Sequence, residues 1–448
     1  MTNIFEQKIT IKSLLKQTFP TIIMMLIFSL YTIIDGIFIS QYVGDNALAA
    51  TNIVFPCINI LLGIGIMFAT GGSAVIAKKM GEGKNEEANR NLSLITLSAL
   101  ISGVIIAILF LAFIDEILIF LGSTEILQKD CYSYLSIMLL FSPFIILKVF
   151  FDYFLVTGGA SKLGLISSIT GGIVNIILDY VFIVNFNMGV AGAALATTIG
   201  YVLPSVIGLV YFSRKKSILR FQKPHFTFKV ISKSCINGSS EMVNQLASSI
   251  TTLLYNMAML KFLGEAGVSA ITIILYIQFL LNAAYLGFTS GVSPRISYNY
   301  GKKNKSNLRN LVKYSYLIIS FFGVIIFIVS QLMSKELILL FATKNSEVFY
   351  IALIGFKIFA FSFLVSGINI FTSGMFTAYS NGVISALLSL LRSLILFIIG
   401  IAILPRILGV NGVWLVVPVC ELITLIISLL FINKYKEKYM YNNRKIII

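Results

Sequence analysis

The chain has 448 residues, 58% of them hydrophobic and only 12% charged, with a mean hydropathy of +0.94. A soluble chain of this length carries far more charge over its core, and the long apolar runs differ from the short alternating strands of a lipid-embedded barrel, so both a soluble enzyme and a barrel are excluded. The net charge of +16 would suggest nucleic acid in a soluble protein, but here the basic residues cluster between apolar runs, where membrane topology accounts for them.

The expected architecture is an all-α polytopic membrane protein with twelve transmembrane helices. Residues 1–17 read as a short amphipathic lead-in with Lys8, Lys12 and Lys16. No small-residue cleavage site follows a short apolar core, so no removable signal is expected. Span one covers about 18–40, with Pro20 near its first turn, where a missing N–H costs little. Span two covers about 50–76, and a charged loop follows through Lys78, Lys79, Glu82, Lys84, Glu86, Glu87 and Arg90. Span three covers about 91–114. The connector 115–130 is acidic to neutral. Span four, about 131–157, holds Lys148 and Asp152, four apart on one helix face and able to pair. Span five, about 162–185, holds Asn175 and Asp179. Span six, about 190–212, holds Thr197 and Thr198. The longest polar linker, 213–230, carries Arg214, Lys215, Lys216, Arg220, Lys223 and Lys229.

The second half repeats the pattern: spans at about 231–260, 268–294, 314–333, 348–376, 383–405 and 410–432, then a basic tail with Lys434, Lys436, Lys438, Arg444 and Lys445. Alternate loops sort by charge. The lead-in, 78–90, 213–230, 295–313 and the tail are rich in Lys and Arg, which places both termini in the cytoplasm of a plasma-membrane protein. The halves also resemble each other directly. YVGDNALAATNIV (42–54) matches FLGEAGVSAITII (262–274), Gly71 meets Gly291, Gly81 meets Gly301, and GVAG (189–192) meets GVNG (409–412), all at an offset of 220. Six spans per half imply two parallel lobes related by an axis along the membrane normal. The expected divisions are 1–212 for the N-lobe, 213–230 for the linker, 231–433 for the C-lobe and 434–448 for the tail.

Ionisable residues inside spans are costly and mark function. Asp35 lies about 25 Å along span one, in its outer half. Asp179 lies at a similar depth in span five, with Asn175 one turn deeper on the same face, and Thr197 and Thr198 reach that level from span six. Two carboxylates, an amide and a hydroxyl suit Na⁺, held by Asp35, Asn175, Asp179 and Thr197, or a proton shared in a dry setting. The singled-out acids map by offset onto uncharged residues, Asp35 onto Tyr255 and Asp179 onto Ile399, so the coupling set is expected in one lobe. Glu241 in span seven is a second candidate, for a cationic substrate or for coupling. Arg392 in span eleven is expected to pair with an acid or a carbonyl. Tyr31, Tyr134, Phe151, Tyr153 and Tyr255 are aromatic candidates for stacking on an organic cation. Lys148 and Asp152 read as an internal pair that sets helix geometry. Cys57, Cys131, Cys235 and Cys420 are scattered without ligand spacing, and the one His, His225, sits in the linker, so no Cys/His metal site and no cofactor are expected.

Taken in order, several motifs resemble the multidrug and toxic compound extrusion (MATE) family, and within it the bacterial multidrug-efflux branch. These are Pro20 with Asp35-Gly36, Val43-Gly44-Asp45 with Leu48-Ala49-Ala50, Gly81-Glu82-Gly83-Lys84, Asn175 with Asp179, and Gly189-Val190-Ala191-Gly192-Ala193-Ala194. The resemblance covers about 12–432. It implies two six-helix lobes around a central cleft and export of organic, often cationic and lipophilic compounds against inward H⁺ or Na⁺. It matches Asp35, Asn175, Asp179 and Thr197 to the N-lobe ion site of the family, and Glu241 to a seventh-helix Glu of another branch. That branch's tenth-helix acid has no counterpart in 348–376. The runner-up function is a flippase of lipid-linked saccharide. Small organic substrates and the lipid bilayer are the expected partners, with no nucleic acid, and the chain is read as a monomer.

Overall fold

In this computed structural model residues 5, 7–215, 217–439 and 441 are described, and every regular element among them is helical. Lys216 of the linker and Arg444 and Lys445 of the tail lie outside the described residues. The helices follow from chemistry: in hydrocarbon each backbone N–H and C=O must find its partner within the segment. The spans are α1 (Ile11–Val43), α2 (Asp45–Gly81), α3 (Asn85–Ala112), α4 (Glu125–Leu140 with Ser142–Thr157), α5 (Ser161–Asn185) and α6 (Gly189–Ser213). One continuous helical stretch, Phe228–Gly301, turns at Gly264 (φ 62°, ψ −153°), which divides it into α7 (228–263) and α8 (265–301). The last four are α9 (Lys305–Leu332), α10 (Glu347–Ala378), α11 (Gly382–Leu408) and α12 (Val410–Tyr435). Twelve spans result. The 59° bend of α4 has a local cause. Pro143 cannot donate to the preceding turn, and beside it the Ser142 hydroxyl donates to the Gly103 carbonyl at 2.9 Å.

The internal repeat is carried in the backbone. Gly44 (φ 122°) and Gly264 (φ 62°) make the turns before α2 and α8, and Gly189 (φ 57°) and Gly409 (φ 59°) make those before α6 and α12. Both pairs stand at the offset of 220, and each needs a positive φ that side chains resist. Two short surface helices, Ile114–Phe120 and Ser334–Leu339, also occupy matching places.

Core residues collect within each lobe. One cluster joins α2 to α6 through residues such as Leu61, Ile95, Leu135, Phe150 and Ala193, and two others join α7 to α12, one of them taking in Ile9 and Leu14 from the start of the chain. The lobes meet closely in the half nearest the chain termini. There, a Cβ on Gly81 would lie 1.9 Å from the Tyr298 carbonyl oxygen, and one on Gly301 2.1 Å from that of Lys78. The two contacts are mirror copies at the offset of 220. Gly71 and Gly238 repeat the arrangement against the Ser234 and Met67 carbonyls, at 1.9 and 2.0 Å. Further up, Asn59 donates to the Ser249 hydroxyl at 2.9 Å. Helix backbone thus seals the terminal face.

Two expectations about spans need correction. The helices run past the apolar runs, so residues 78–90 are not a loop: only the Glu82–Lys84 turn interrupts the chain between α2 and α3. Charged residues on these helix ends pair, as Lys79 does with Glu87 at 2.8 Å. Pro20 sits nine residues inside α1 rather than in its first turn, because the lead-in is already helical from Ile11. Its missing N–H therefore interrupts the ladder of a working helix and marks a bending point. The linker is fastened to the first lobe: the Arg220 and Gln222 amides donate to Asn89 Oδ1 and Ser93 Oγ on α3, at 3.0 and 2.9 Å.

Candidate ion and substrate sites

Three helices converge on Asp35. On α1, Phe28, Tyr31 and Asp35 stand at i, i+3 and i+7, one face of the helix. On α5, Gly172, Asn175 and Asp179 do the same. On α6, Thr197 and Tyr201 are four apart. Gly172 permits the approach, since a Cβ there would come 3.1 Å from the Tyr31 ring. Asn175 Nδ2 donates to Thr197 Oγ1 at 3.4 Å, and the Thr197 hydroxyl donates to Asp35 Oδ1 at 3.3 Å. Asp179, 0% exposed, stands directly beside Asp35. Neither Asp179 carboxylate oxygen has a further hydrogen-bond partner among the described residues, and Asn175 Oδ1 has none.

This geometry has a chemical consequence. A buried carboxylate without donors is strongly unfavourable unless a proton or a cation meets it. The cluster offers two carboxylates, an amide oxygen and a hydroxyl, a hard-oxygen set suited to Na⁺ or to one shared proton. Both acids also precede a distortion: α1 passes into a π-helical segment at Ile39–Val43 and α5 at Tyr180–Asn185. Such segments gather at functional sites because they loosen the ladder locally. The Thr198 hydroxyl donates to the Leu195 carbonyl of its own helix at 3.0 Å, and no hydrogen bond links it to Asp35, Asn175 or Asp179 among the described residues.

The second lobe also buries an acid. Glu421 on α12 is 3% exposed, and its Oε1 lies 3.0 Å from Arg392 Nε on α11. Asn369 Nδ2 donates to Glu421 Oε2 at 2.7 Å, and Ser428 donates to Asn369 Oδ1 at 3.2 Å. Glu421 escaped the sequence reading although it is the one acid between 410 and 432, which the cost of intramembrane charge already flags. The lobes thus differ in compensation rather than in possession of acids. Glu421 has a guanidinium, whereas Asp35 and Asp179 lean on neutral groups and each other. Arg392 lies in a third π-helical segment, Leu391–Ile395.

The cleft candidates divide. Glu241 accepts from Asn244 Nδ2 at 3.3 Å and lies within electrostatic reach of Arg392 and, across the lobes, of Tyr153. Phe151 and Tyr255 are corrections. Phe151 stacks on Phe212 beneath Gly208, and Tyr255 packs edge-on against Phe397 with centroids 4.8 Å apart; both are 1% exposed, inside lobe cores. Tyr31 and Tyr134 are buried near Asp35 rather than in the interlobe space. Lys148 and Asp152 pair at 2.8 Å inside the N-lobe.

Twelve spans in two pseudo-symmetric lobes, with charge buried in each, define a two-lobed polytopic membrane protein of the transporter class. The MatE family model matches residues 20–181 and 242–402, one segment in each lobe. The chain belongs to the MatE family. It is 24% identical over 412 residues to the multidrug export protein MepA of Staphylococcus saprophyticus, covering 92% of this chain and 89% of that one. It is 23% identical over 445 residues to MepA of Staphylococcus haemolyticus, covering 99% and 98%. Among solved structures, it superposes with a TM-score of 0.91 at 22% identity on an outward-facing multidrug resistance MATE family transporter of the MOP superfamily, with 98% of each chain covered. With a MOP superfamily transporter from Pyrococcus furiosus, described as having a binding pocket of reverse polarity, the TM-score is 0.90 at 22% identity, covering 97% of this chain and 98% of that one.

Proposed function

We propose that this chain is a cation-coupled antiporter that exports organic, cationic and lipophilic compounds across the plasma membrane by alternating access, taking in H⁺ or Na⁺. The observation that carries the reading is Asp179, fully buried beside Asp35 with no compensating base among the described residues. Binding of a proton or Na⁺ at this pair removes uncompensated charge from the N-lobe. Such a charge costs about 2.5–3.5 kcal/mol at a helix centre on insertion scales and less in the outer half where this pair lies, so ion binding supplies energy toward the shift of a helix. α1 is the helix placed to respond, with Asp35 at one end, Pro20 toward the other and a π-helical segment between Asp35 and Gly44. The two relatives named as multidrug export proteins support the substrate class. The Glu241 carboxylate and Tyr153 provide an acid and a ring toward the interlobe space for a cationic ligand. Loop charge supports cytoplasmic termini, so the sealed terminal face is read as the inner one and the structure as open to the outside.

The test uses proteoliposomes holding the purified chain and a fluorescent organic cation such as ethidium, with H⁺ and Na⁺ gradients imposed separately. Movement driven by one gradient names the ion. Absence of movement of several organic cations under both gradients contradicts the reading and favours the lipid-linked saccharide flippase.

A further inference from the structure

One helical turn below Asp35, between α1, α6 and α4, lies a second arrangement that the antiport reading does not use. The Lys148 ammonium sits 4.4 Å from the centroid of the Phe28 ring, 5.5 Å from that of Tyr201 and 5.9 Å from that of Tyr31. Asp152 Oδ2 closes the shell at 2.8 Å. Lys148 is 3% exposed, and no polar side chain other than Asp152 pairs with it among the described residues. A narrow cavity connects this place to the acidic cluster: Tyr31, Lys148, Gly172, Asn175, Thr197 and Tyr201 share its wall.

Replacing a buried ion pair by packed apolar side chains is often neutral or stabilising, so the pair adds little to stability by itself. Rings arranged around an ammonium, with a carboxylate at the open side, are how proteins recognise alkylammonium ligands. Here the ligand is already present and covalently attached. The rings come from α1 and α6, while the ammonium and carboxylate come from α4, so the occupant ties three helices together. In the second lobe the positions equivalent to Gly172 and Tyr201 at the offset of 220 are Arg392 and Glu421, which form an ion pair, and among the described residues no ring lies over the Arg392 guanidinium.

We propose that Phe28, Tyr31, Tyr201 and Asp152 form an ammonium-binding cage whose resident ligand is the Lys148 side chain, and that the emptied cage takes a free primary alkylammonium ion. The stem of Lys148 fixes the size class: a short unbranched amine such as n-propylammonium fits, whereas a tetrabutylammonium ion does not.

The experiment is thermal unfolding of purified Lys148→Ala and wild type in detergent. Each is titrated with n-propylammonium chloride, with 1-propanol, and with NaCl at matched ionic strength. The amine is expected to raise the unfolding midpoint of Lys148→Ala by about 2 °C or more near saturation, with no rise in wild type and none from the alcohol or NaCl. Adding Phe28→Leu to Lys148→Ala is expected to weaken the response at least tenfold in amine concentration. If Lys148→Ala does not fold alone, expression in the presence of n-propylammonium is expected to recover monodisperse protein, and 1-propanol is not. An equal response to the alcohol, an equal response in wild type, or no response to the amine overturns the proposal. The readout needs neither a gradient nor a transported substrate, so its failure is separate from a failure of the antiport reading.

Discussion

Substituting Gly81 by Ala tests the seal between the lobes. The added Cβ would fall 1.9 Å from the Tyr298 carbonyl oxygen, whereas ordinary contact begins near 3.4 Å. The obstacle is helix backbone, which cannot rotate away as a side chain can. α2 and α8 must therefore separate by about 1.5 Å along that vector, or the contact is lost. Overpacking of this kind costs about 1–3 kcal/mol. The cost falls only on the state in which the seam is closed, so it changes the ratio of closed to open molecules by roughly 5- to 150-fold. The assay is a distance measurement between spin labels at Glu86 and Ser306, exposed residues just beyond the seam in each lobe, with the four native cysteines replaced. Wild type is expected to give a short distance, and Gly81→Ala a longer component that dominates. Gly301→Ala, its copy in the second lobe, should do the same. Gly63→Ala serves as control, since its Cβ would meet Gln245 Cβ at an ordinary 3.4 Å. A distribution in folded Gly81→Ala identical to wild type would refute the reasoning.

Three further outcomes follow from the sites. Thr197→Val removes the hydroxyl that donates to Asp35 and a hard-oxygen ligand, so it should weaken Na⁺ affinity about tenfold or more where Na⁺ is the coupling ion and strengthen proton binding where H⁺ is, because the carboxylate loses a donor, whereas Thr198→Val should leave affinity and transport unchanged; concentration dependence of gradient-driven transport checks both. Glu421→Gln leaves the Arg392 guanidinium without its carboxylate and should destabilise the protein by about 3 kcal/mol, while Glu421→Leu with Arg392→Met should recover most of the loss, as read from unfolding in detergent. Gly208→Ala would place a Cβ 2.2 Å from the Phe151 ring, so it should destabilise the N-lobe core by about 1–3 kcal/mol in the same measurement.

Much of this architecture was legible in the chain itself. Apolar runs identify twelve spans because lipid leaves the backbone few options, and the shared offset of 220 identifies the two lobes. Asp35, Asn175, Asp179 and Thr197 were legible because helical periodicity and depth bring them to one level. Helix ends were not, since hydropathy reports where lipid stops and α2 and α3 continue into water as ordinary charged helices. Phe151 and Tyr255 resemble any of the other aromatic residues in composition, and only packing decides between a lobe core and a cleft. The Arg392–Glu421 contact joins two separate spans, and local periodicity carries no information about such pairing. The cage around Lys148 was half visible: the spacing to Asp152 gives the ion pair, but the rings come from α1 and α6.

The central claim is that the acidic cluster of the first lobe binds the coupling ion in linkage with substrate. The most direct measurement is ion release on substrate binding, recorded with a pH dye or a Na⁺ indicator in weakly buffered detergent solution as an organic cation is added. Linkage requires each ligand to alter the affinity of the other by the same factor. Wild type is expected to release H⁺ or Na⁺ on addition of substrate, and Asp35→Asn to bind substrate without release. Release of the same size from folded Asp35→Asn would contradict the account.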